Sequence, residues 1–165
     1  MLSASQARRR YGLEIIDLTE AQLAHDRLHV FAVEGIQVFK GPVRLYNFVS
    51  ASPLDLLEAA SQIIHQVGTA EMRWHLGAPR TWEAQGGALA ATERPDAVFH
   101  RADGPCAIEY DTGSYSSGRV EQKLGHFKDF AHIYWGCSSP ERVKRLQRRY
   151  LEHPKLTVFH AAWWL

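Results

Sequence analysis

The order in which the hydrophobic period changes after residue 80 constrains this chain more than any other feature. Thr81 to Gln85, Ala97 to Arg101 and Cys106 to Asp111 read as strands, Arg119 to Phe130 as a helix, His132 to Cys137 as a strand, Pro140 to His153 as a helix and Leu156 to Ala161 as a strand. Strands followed by alternating helices and strands bury their apolar residues by layering sheet on helix. The expected fold class is therefore α/β, a mixed sheet flanked by helices. Within it, PDAVFHRADGPCAIEYDTG (95–113) reads as a hairpin turning at Ala102-Asp103-Gly104-Pro105.

The residues before it carry different signals. Thr19-Glu20-Ala21-Gln22 has the form of a capping box and predicts a short helix to about Leu28. His29 to Val33, Ile36 to Lys40 and Val43 to Val49, separated by Glu34-Gly35 and Gly41-Pro42, predict a meander of three strands. Residues 1–13, with Arg8-Arg9-Arg10, fit a flexible arm or the first turn of a helix. Ser52-Pro53 opens a helical stretch through Leu56, Leu57, Ala60, Ile63, Ile64 and Val67, interrupted at Gly68-Thr69 and resumed through Met72 and Leu76. The expected division is a small N-terminal α+β unit at 1–51 and an α/β core at 52–165.

The totals exclude several classes. A chain of 165 residues with 45% hydrophobic and 22% charged side chains can bury its own core and does not have the composition of a disordered protein. The net charge of +1 leaves any argument for a polyanionic partner to local patches. Cys106 and Cys137 form no Cys-x-x-Cys pair, and the nine histidines are scattered along the chain, which argues against a zinc site and a disulfide scaffold. Two reduced thiols, no signal-peptide core and no membrane-length apolar run predict a soluble, cytoplasmic protein.

Three carboxylates in one hairpin call for a reason. Glu109 and Asp111 share one face of their strand, and Asp96, across the turn, falls near the Asp111 end in a simple register. Like charges this close raise each other's pKa or require a cation. Mg²⁺ or Mn²⁺ is the candidate, because a hard cation takes one or two carboxylates plus water and a phosphate oxygen. Glu83, in the Thr81–Gln85 strand, is a fourth possible ligand. Lys123 flanks the Val120, Leu124 and Phe127 stripe and could lean toward Asp111. A solvated edge strand would also accommodate Glu109 and Asp111.

These pieces resemble the replication-relaxation family. HQVGTAEMRWHL (65–76), Trp82 with Glu83, Pro95-Asp96, Glu109 to Gly113, and Lys123 with Phe127 follow that family's order over roughly residues 55–137. The resemblance implies a DNA-associated protein of plasmid or phage replication or mobilisation. It also implies a core similar to the PD-(D/E)XK nucleases, with Asp96 and Glu109 at the metal and Lys123 at the phosphate. Such nucleases carry Lys where this chain has Asp111, which sets catalysis in question. Family members usually also carry an N-terminal winged helix, here absent, shortened or remodelled.

Arg142, Lys144, Arg145, Arg148 and Arg149 make one helix strongly basic. With Arg119 they could form a rim contacting DNA phosphates, or a solvated face. Three readings follow. The leading one is a DNA-binding protein of replication or mobilisation with little or no catalysis. The others are a metal-dependent endonuclease and a module binding only proteins. DNA, with replication or mobilisation proteins, is the expected partner, and an oligomer is compatible with the sequence.

Overall fold

A computed structural model describes residues 1–37, 42–84 and 94–165. Lys40, Gly41 and Gln85, which closed two of the sequence-predicted strands or their turns, lie outside the described residues.

A mixed five-stranded sheet forms the larger layer. Its strands are β4 (Trp82–Ala84), β5 (Ala97–Arg101), β6 (Gly104–Asp111), β7 (His132–Cys137) and β8 (Leu156–His160), in that spatial order. β4, β5 and β6 pair antiparallel, whereas β6, β7 and β8 pair parallel through two helical crossovers. Those crossovers are α4 (Ser117–His126) and α5 (Pro140–Arg149). Both cover one face, where Val120, Leu124, Val143 and Leu146 pack on Ala107, Ile133, Trp135 and Val158. The other face is covered by α3 (Ala60–His75), whose Ile63, Val67 and Met72 meet Ile108 and Tyr110. β6 is thus central and covered on both sides, so a solvated edge does not explain its acids.

The N-terminal residues form β1 (Leu2–Ser3), α1 (Ala4–Tyr11), α2 (Glu20–His25), β2 (His29–Gln37) and β3 (Val43–Ser50). Ser3 and Gln6 make a capping box on α1, and Thr19 and Gln22 make the predicted one on α2. The first two predicted strands of the meander are one strand, β2, irregular between Val33 and Ile36. Gly35, at φ +78°, makes that bulge possible and marks a bend within a strand. β1 supplies the third strand by pairing with β3.

The helix predicted from Ser52 is also redistributed. Pro53–Leu57 is a 3₁₀ turn whose Leu57 is exposed, and α3 starts afresh at Ala60 and runs unbroken through Gly68. A Cβ on Gly68 would overlap the Tyr110 ring, so this glycine lets helix and sheet approach closely.

The small sheet shares the α3-side core. Phe48 and Ile36 are buried with Ile63, Tyr110 and Trp163, and Trp163 lies 5.2 Å from Tyr46 and 5.8 Å from Phe48, ring to ring. Glu71 on α3 is buried and accepts from Arg9 at 3.2 Å, Arg10 at 2.9 Å and Gln6 at 3.0 Å, which ties α1 down. Cys106 and Cys137 are free and buried. Among the described residues no helix is long and apolar enough to cross a membrane.

Candidate functional site

Strand alternation on β6 sends Ile108 and Tyr110 toward α3, and Ala107, Glu109 and Asp111 toward α4 and α5. Each acid meets its own cation there. Glu109 is 0% exposed and its Oε1 lies 2.6 Å from the ammonium of Lys123, itself 4% exposed. Lys123 is carried inward because α4 buries Val120, Leu124 and Phe127 beside it, and its ammonium lies 5.5 Å from the centre of the Tyr115 ring and 5.7 Å from that of Phe127. The Tyr115 hydroxyl donates to the same Glu109 oxygen at 2.8 Å. Glu109 Oε2 is buried with no hydrogen-bond partner among the described residues.

Asp96 stands beside this pair. Ala97 is registered opposite Ile108, which carries Asp96 to the level of Glu109, and its Oδ2 accepts the Tyr110 amide N–H at 2.7 Å. Its side chain remains about one-fifth exposed. His65 of α3 completes the group, with Nδ1 at 3.6 Å from Asp96 Oδ2, too long for a hydrogen bond but close enough for charge attraction.

The electrostatics follow from this crowding. Burial, followed by the Asp96 charge, pushes the Glu109 carboxyl up to about 7, against the opposing pull of Lys123 and Tyr115. Burial alone would lower the His65 imidazole, yet Asp96, with help from Glu109, raises it overall. Burial and then the charge of Glu109 raise the Tyr115 phenol, which holds it as a donor. A carboxyl poised near neutrality can take or release a proton, beside a fixed ammonium able to stabilise developing negative charge.

Asp111 is placed elsewhere. Lys123 contacts Glu109, while Asp111 Oδ2 takes Nε and Nη2 of Arg142 at 2.9 and 2.6 Å and the Trp135 indole N–H at 3.3 Å. Its Oδ1 accepts the Gly113 amide at 2.7 Å, a turn that the positive φ of Gly113 permits. Arg142, predicted at the DNA rim, is thus a buried partner of Asp111, and also donates to the Tyr115 carbonyl at 2.9 Å. Glu83 is exposed on β4, 3.9 Å from His100. Arg119 donates to Gln122, and Arg149 is paired with Glu121 at 2.6 Å on the exposed face of α5, where Arg145 and Arg148 also stand.

His65 and Tyr115 are the members that sequence reasoning missed. Tyr115 had a usable signal, since Ser116 caps α4 and so fixes the preceding residue between β6 and the helix. His65 had none beyond its place on α3.

The residues present fit a divalent cation in part. Asp96 and the unpartnered Glu109 Oε2 offer two carboxylates, the share of ligands that Mg²⁺ takes from protein when water and phosphate complete its shell. Among the described residues no group of three His, Cys, Asp or Glu side chains is spaced to hold a metal ion.

A mixed α/β protein with a buried acid–lysine pair beside a half-open aspartate is the class that fold and site define. The replication-relaxation family model matches residues 44–142, and the chain belongs to that family. No curated protein matches the sequence. A solved structure to which it is similar is the YaeQ protein from Xanthomonas axonopodis pv. citri, at 13% identity over 81% of this chain and 72% of that one, with a TM-score of 0.43.

Proposed function

We propose that the chain is a DNA-associated replication protein of nuclease-like α/β core, in which Asp96, Glu109 and Lys123 form a site directed at a DNA phosphodiester. The observation that carries this reading is the Lys123 ammonium, held inside the protein against Glu109 at 2.6 Å. An exposed helix lysine has no need of that position. A Mg²⁺ or Mn²⁺ held by Asp96 and Glu109 would supply Lewis-acid polarisation of the phosphate. The chain's own residues would do the rest. Asp96, fixed by the Tyr110 amide, sets the position of one ligand oxygen. Tyr115 and Lys123 hold Glu109 Oε1 and leave Oε2 available. Plasmid or phage replication and mobilisation is the setting that family membership suggests.

A second reading, a DNA-binding module without chemistry, is favoured by one observation: Asp111, which stands where such nucleases carry Lys, is itself held by Arg142 at 2.6 Å. One experiment separates the two. Millimolar Mn²⁺ should raise the melting temperature of the wild type, Glu109→Gln should abolish the rise, and Asp96→Asn should reduce metal-dependent nicking of a supercoiled plasmid by about a hundredfold with DNA affinity retained. DNA binding with neither nicking nor a metal shift would leave the module. Absence of DNA binding would sink both.

A further inference from the structure

Between the start of α4 and the outer face of α5 lies an open cleft of about 350 Å³. Arg142, Arg145 and Arg149 recur at three- and four-residue steps, so one face of α5 presents all three to it, opposite the hydroxyls of Ser116 and Ser117. None of the described residues lining the cleft is a carboxylate. The carboxylates that hold two of the arginines sit behind or beside it, Asp111 on Arg142 and Glu121 on Arg149. Arg145 is exposed and has no carboxylate partner among the described residues. The cleft therefore carries one uncompensated positive charge. It carries an unused donor too: the Tyr150 hydroxyl, on the wall of the cleft, is buried and donates to no group among the described residues.

We propose that this cleft is a phosphate-binding site, with Arg145 as its free cation and Tyr150 as its buried donor, and that the phosphate it takes belongs to a DNA chain. A tetrahedral oxyanion answers each feature. Guanidinium groups supply planar pairs of N–H donors suited to phosphate oxygens, and the hydroxyls of Ser116, Ser117 and Tyr150 can turn to the remaining ones. A planar carboxylate would leave part of this donor set unused. The volume accepts a phosphate together with part of a sugar. The DNA source rests on the function proposed above, and Tyr115 gives the physical link, since it lines the cleft while its hydroxyl bonds Glu109. A strand whose phosphate sits in the cleft would run toward the acid–lysine site.

The test uses the full chain, inorganic phosphate and a short duplex oligonucleotide. Phosphate should raise the melting temperature above that in chloride of equal ionic strength and should compete with the duplex. Arg145→Ala should remove that rise, weaken duplex binding about tenfold and lower the salt slope by about one. Tyr150→Phe should weaken phosphate binding several-fold. No rise with phosphate, or a rise that survives Arg145→Ala, overturns the site. A rise lost in Arg145→Ala with duplex binding unchanged overturns the DNA source and assigns the cleft to a free phosphate compound. Asp96→Asn keeps the two proposals apart, because it should cut nicking by about a hundredfold and leave the phosphate effect intact.

Discussion

Glu109 sits at the centre of the candidate site, and its burial makes a signed prediction. Its carboxyl is raised to about 7 in the folded protein from an ordinary value of 4.5, so between those pH values the native state binds more protons than the unfolded one. Its contribution to stability is present in full below pH 4.5 and is lost as pH rises through 7. Urea unfolding across this window should show stability falling with pH, and Glu109→Gln should flatten most of the fall. His65 is raised as well and adds a loss of the same sign. Lys123→Met removes one half of a buried pair and strands the other, so it should cost about 3 kcal/mol or more at pH 8, where Glu109 is charged, and less at pH 5. Strand alternation made it legible that Glu109 and Asp111 share a face. Which cation serves which acid was not legible, because that depends on how α4 and α5 are rotated against the sheet by residues such as Val120 and Val143.

Single elements were readable where two turn signals bracket a short apolar run. β5 and β7 have the predicted limits, Ala97–Arg101 and His132–Cys137. Glycine was the ambiguous letter. At Gly35 and Gly68 the sequence pattern predicts a break, whereas in the folded chain one makes a bulge and the other a close packing contact. A sequence shows the missing Cβ but not the neighbour that needs the space. The element-scale prediction uses that neighbour. Gly68→Ala should destabilise the protein by about 2 kcal/mol despite alanine's better helix propensity, because the Tyr110 ring is rigid and packed. Gly136→Ala, on β7, should cost less, because the atoms it meets belong to the flexible Met72 side chain. Chemical denaturation of both variants settles the order.

At the scale of the whole molecule, residues from 1–51 and from 52–165 contribute to one core. Phe48 and Ile36 from the first are buried with Ile63 and Trp163 from the second, and Glu71 holds Arg9 and Arg10 across the same boundary. Such sharing predicts a single cooperative unfolding transition, with far-UV circular dichroism and tryptophan emission coinciding. Arg9→Ala with Arg10→Ala leaves Glu71 buried without either guanidinium. It should lower that one transition by about 2 kcal/mol and should not split it. Two separate transitions would show 1–51 and 52–165 to be independent units. Trp135 also has a use at this scale. Its indole N–H is held by Asp111, its ring stands edge-on to Tyr115 at 6.2 Å, and it is buried at the sheet register of Glu109. The same indole thus touches the carboxylate that anchors Arg142 and the tyrosine that bonds the other acid. Light absorbed there is re-emitted from between the two charged pairs. The difference between wild-type and Trp135→Phe emission is therefore an optical record of the site, written without any added label.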